Sequence, residues 1–154
     1  MSSRIRFTIE GEASSKANSR KFARMHDGRT ISIKSDKARA FEKSALAQIP
    51  KRAQLMLDVP CGIRLRMFYA DERSDLEPDL VLDCLQPKYR KSKTTGERVL
   101  VQPGVVTNDR RFRVIHAYHA IDRARPRVEI TVWRLDGQRA LMVDDEVDSG
   151  EVVW

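Results

Sequence analysis

The sequence predicts an α+β domain: one mixed, largely antiparallel β-sheet with two main helices packed on it. Three observations carry this. Several short runs alternate apolar and polar residues, the period of a half-buried strand. Two other runs carry apolar residues at helical spacing, and each is closed by a proline, Pro50 or Pro87. The order is strand, strand, helix, strand, helix, strand, strand, which places the helices on one face of the sheet.

Each element has its own local signature. Ile5, Phe7 and Ile9 alternate with Arg4, Arg6, Thr8 and Glu10, a first strand ended by Gly11. Residues 12–28 are polar, basic and short of large apolar side chains, so they read as a loop. Arg29 to Lys34 alternates again through Ile31 and Ile33. Ser35 is a good N-cap for a helix over 36–49, with Asp36 suited to the dipole of the first turn. Phe41, Ala45, Leu46 and Ile49 share one face of it. Cys61 to Tyr69 is the clearest strand. After a polar break, Pro78 fits the first turn of a second helix that runs to Gln86. Residues 87–104 are basic and turn-rich, with a short strand near 99–101. Phe112 to Ile121 and Arg127 to Leu135 are two more strands, whose connecting turn with Asp122, Arg125 and Pro126 reads as a hairpin. Trp133 and Tyr118 read as sheet core.

A chain of 154 residues suits one domain, taken as 1–135, with an acidic tail over 136–154. No apolar run approaches the ~18–20 residues that a membrane span needs, and the first residues lead into a strand and not an apolar signal region. Cys61 and Cys84 sit in apolar surroundings and read as reduced core thiols of a cytoplasmic protein, against one disulfide.

Charge points to a partner. Lys and Arg number 29 against 22 Asp and Glu, a net charge of +7. Asp144, Asp145, Glu146, Asp148 and Glu151 crowd the tail, so the body is more basic still. Such a body suits a polyanion, and the tail reads either as simply disordered or as a competitor with nucleic acid for the same surface. Within this basic chain Asp75 and Glu77 lie just beyond the long strand, where residues two apart point the same way. Asp79 and Asp83, four apart, share a helix face. Asp109 lies in the polar break Thr107-Asn108-Asp109-Arg110. Gathered carboxylates repel one another unless a cation offsets them, and hard divalent cations favour oxygen ligands. A basic surface around an acidic metal site is what a metal-dependent nuclease needs.

The stretches 69–77, 80–86 and 104–110 resemble the RusA-like family of Holliday junction resolvases. The strand and basic, Ser- and Asn-containing loop over 7–20, and the segment 109–126, are similar to that family as well. The resemblance covers residues 4–135. It implies a Mg²⁺-dependent homodimer (Mn²⁺ as an alternative ion) that cuts four-way DNA junctions by paired symmetric nicks, with no organic cofactor and no membrane partner. Carried over by position, Asp75, Glu77, Asp83 and Asp109 are the catalytic acids, and Asp75, Glu77 and Asp109 hold the metal. The chain departs from the family pattern in having Glu77 for the second Asp, Asn108 for the first member of an acidic pair, and Pro78 and Val81 where Asn and Lys occur. Lys88 and Lys93 are substitutes for that lysine. Lys16, Asn18, Arg20, Lys21, Lys34, Lys37 and Arg73 are the expected DNA contacts. Two other readings stay open: a non-catalytic DNA-binding or regulatory protein on the same fold, and a nuclease for flaps or other branched DNA. His116 and His119, three apart on a strand, point to opposite faces and do not share a zinc ion.

Overall fold

The computed structural model describes residues 4–13 and 20–135. It is of the α+β class, with eight strands and two α-helices among those residues: β1 (Ile5–Glu10), β2 (Arg20–Arg24), β3 (Thr30–Lys34), α1 (Asp36–Gln48), β4 (Cys61–Tyr69), α2 (Asp79–Cys84), β5 (Lys88–Lys91), β6 (Arg98–Gln102), β7 (Phe112–Ile121) and β8 (Arg127–Arg134). The main sheet runs β1-β8-β4-β7. β8 is antiparallel to both neighbours, and β4 and β7 are parallel. Two separate ribbons, β2-β3 and β5-β6, stand beside it.

Alternation decides which side chains go where. Phe7 and Ile9 of β1, Ile63, Leu65 and Met67 of β4, and Val128, Ile130 and Val132 of β8 are all buried. They share a core with Ala38, Phe41 and Ala45 of α1 and with Leu80, Val81 and Leu85 in and after α2, so both helices cover the same face. Burial of this apolar surface is the main favourable term in the fold. Ser35 caps α1 as its chemistry requires, its hydroxyl accepting from Ala38 N at 3.2 Å. At the other end of α1 the Gln48 amide accepts from Glu10 N (2.7 Å) and donates to Glu10 O (3.0 Å), tying the helix to the edge strand β1.

Three expectations are corrected. First, β7 and β8 are not a hairpin, because β4 lies between them. The turn 122–126 crosses over the end of β4, a span of about 10 Å. There Asp122 N donates to Tyr69 O (2.9 Å), and the Asp122 carboxylate accepts from Ala124 N and Arg125 N. A short turn between two alternating runs looks the same in sequence whether the strands touch or straddle a third. Second, the loop expected over 12–28 contains β2, which pairs with β3 outside the main sheet. β5 likewise lies in the expected loop 87–104. Third, Trp133 and Tyr118 belong to the sheet face turned away from the helices. Register sets Trp133 against Gly62 and Tyr118 against Arg66, and Tyr118 is 38% exposed.

The remaining elements match their sequence patterns to within a few residues. Cys61 and Cys84 are buried free thiols. Burial pushes both up, Cys84 to about 12. The expected acidic tail over 136–154 lies outside the described residues.

Candidate metal and nucleic-acid site

Tyr69 ends β4 with its ring buried at 1% exposure. Beyond it the chain turns back on itself. Asp71 accepts from Arg73 N at 2.9 Å, a local turn of the kind aspartate favours. Ser74 then anchors the loop twice. Its hydroxyl donates to Glu12 Oε1 (3.0 Å), and its carbonyl meets His119 Nε2 (2.9 Å). A carbonyl oxygen only accepts, so Nε2 carries the proton. The His119 ring in turn stacks on Tyr69 with centroids 4.7 Å apart. The loop 70–78 is thereby held over the end of the sheet by residues from β7 and from the segment after β1.

The end of this loop meets Tyr69. The Tyr69 hydroxyl accepts from the Glu77 backbone N–H and is faced by the charges of Glu12, Glu77 and Asp75. Burial raises the Tyr69 hydroxyl above its ordinary range, and the three carboxylates push it further up, so it stays protonated at neutral pH. Asp75 and Glu77 both lie in this loop. Glu12 meets it through Ser74. No motif marks it in the sequence; the signal available was only its place just past the end of β1.

The other two acids have their own contacts. Asp83, near the end of α2, accepts weakly from Gln86 Nε2 (3.4 Å). Its backbone carbonyl accepts from Lys88 Nζ (2.9 Å), and Lys88 also pairs with Glu42 (3.0 Å). Lys34 reaches Glu42 at 2.7 Å from the other side. Burial alone would raise the Glu42 carboxyl, but the hydrogen bonds from Lys34 and Lys88 win and hold it below the usual range. Asp109 opens a short 3₁₀ turn before β7, where Asn108 accepts from Arg110 N and Nε. Phe112 pairs with the first residue of β4 and Ile121 with the last. Asp109 therefore sits beyond the opposite end of the strands from Asp75 and Glu77, with about 26 Å of strand between the two ends.

Of the expected DNA contacts, Lys21 pairs with Asp36 (2.8 Å) and Lys34 with Glu42, while Lys37 and Arg73 are exposed. Lys16, Asn18 and the Arg20 side chain lie outside the described residues.

Oxygen donors of this kind fit a hard divalent cation in chemistry. Among the described residues, no three acidic, histidine or cysteine side chains are gathered to metal-binding distance. No protein-family model matches the chain, and no curated protein does.

Proposed function

We propose that this protein is a divalent-metal-dependent nuclease for branched DNA, acting as a homodimer in the manner of the RusA-like junction resolvases it resembles. The observation that supports this reading most is the anchored loop 70–78, which carries Asp75 and Glu77 at the exit of β4 and is tied through Ser74 to Glu12 (3.0 Å), in a chain of net charge +7. Carboxylate oxygens are the donors that a hard divalent cation takes, and a basic surface around them suits a phosphate substrate.

In this reading Asp75 and Glu77 would hold Mg²⁺ or Mn²⁺, with the remaining positions left to water and to substrate phosphate oxygens. A divalent ion held by these carboxylates would supply Lewis-acid polarisation of a phosphodiester. The neutral Tyr69 hydroxyl donates to Met67 Sδ (3.9 Å) and accepts from the Glu77 N–H, which holds the loop against the end of β4. His119, stacked on Tyr69, and Ser74, bonded to Glu12, fix the loop so that the acids do not spread apart. The exposed Lys37 and Arg73 supply phosphate contacts, which position DNA without reading sequence. A twofold dimer would present two such sites to a twofold junction, so symmetry alone makes the nicks paired.

The spacing of the acids favours one alternative, a protein that binds branched DNA without cutting it. Cleavage of a labelled four-way junction in Mg²⁺ and in EDTA, beside duplex and flap controls, separates the two. Paired nicks that require Mg²⁺, and that Asp75→Asn lowers at least about a hundredfold without loss of junction binding, are expected. Tight junction binding with no cut in Mg²⁺ or Mn²⁺ would establish the binding protein.

A further inference from the structure

The sheet face turned away from the helices carries its own built feature. The Trp133 indole lies flat across the backbone of β4 at Gly62, where any Cβ would collide with the ring. His116 stacks beside it, with centroids 6.3 Å apart and planes 22° from parallel. Tyr118, two residues on, continues the row. Arg64 and Arg66 lie beside His116 and Tyr118 in register, and with Arg6 and Glu129 they line a groove between β1, β8 and β4.

We infer that this face is a binding site for single-stranded nucleic acid, with bases stacked on Trp133, His116 and Tyr118 and phosphates on Arg6 and Arg66. Flat rings beside arginines offer what an unpaired strand presents, a π-face for every base and a charge for every phosphate. A duplex keeps its base faces stacked and cannot use the rings. Charge argues against a second copy of the chain as occupant. A twofold contact through this face would bring arginines of the groove against their own copies, with the Glu129 carboxylate already engaged by Arg127. The choice of DNA over RNA rests on the function proposed above; the stacking site itself does not, because it lies on the far side of the sheet from the core and makes no use of the acids.

The test uses the full chain in EDTA, with Trp154→Phe so that Trp133 is the sole indole, and a labelled oligothymidylate as probe. Binding should quench Trp133 fluorescence. Trp133→Ala should weaken binding about tenfold or more, and Trp133→Phe, which keeps a ring on the glycine seat, should weaken it less. Arg66→Glu, an exposed change, should also weaken it. Blunt duplex affinity should ignore Trp133→Ala. Asp75→Asn should bind the oligonucleotide as the parent does, so a failed nuclease and a failed stacking site give different results. Unquenched fluorescence, an unchanged affinity for Trp133→Ala, a change in oligomeric state alone, or binding gained only on removal of the acidic tail would each overturn the inference.

Discussion

Cys84 is a buried thiol whose titration links residue chemistry to stability. Burial raises it from 9.0 to about 12, and Glu42 and Asp83 push the same way while Lys88 and Lys34 oppose. A group raised in the folded state stabilises it below the unfolded value and ceases to as pH climbs through the folded one. Urea midpoints should therefore fall as pH rises from 9 towards 12, and Cys84→Ala should flatten that slope relative to the parent. Other residue-scale features were partly legible. Cys61 and Cys84 read correctly as core thiols from their apolar neighbours. Gly104 did not announce itself: it lies where a Cβ would come within 2.6 Å of Pro87 N and Val106 O, a backbone approach that only the fold creates. Glu12 was invisible for the same reason, since its partner Ser74 is 62 residues away in sequence.

At the scale of elements, local rules sufficed where the cause was local. Ser35 caps α1, Pro50 ends it, and the helix lies within a residue of its expected bounds. Ser35→Ala should cost about 1 kcal/mol in chemical denaturation, from the unsatisfied Ala38 N–H. The 70–78 loop was legible as a break but not as a platform, because its anchors come from β7 and from beyond β1. The false hairpin shows the limit most sharply. Alternation sets which faces β7 and β8 bury, and it carries no information about which strand sits beside which. Trp133 and Tyr118 were misread through the same gap: aromatic residues in a strand suit either face of a sheet, and only the seat at Gly62 marks this one as open.

For the whole molecule, class and layering come from patterning, while the separation of Asp109 from Asp75 and Glu77 comes from topology alone. Parallel pairing of β4 and β7 puts the loop leaving β4 and the turn entering β7 at opposite ends of the strands. The insertion of β8 between β1 and β4 governs how the chain must be assembled during synthesis. β1, the first strand made, has no neighbour in the sheet until β8, the last described strand, is made. Until then β1 and β4 each carry an unpaired edge, open to association with other nascent chains. A chain stopped at Pro126 should therefore lose cooperative unfolding by circular dichroism and partition into aggregates, whereas one stopped at Leu135 should keep a sharp transition. The protein completes its sheet with a central strand that arrives late, so quality control of a ribosome-stalled fragment rests on whether those few residues have emerged.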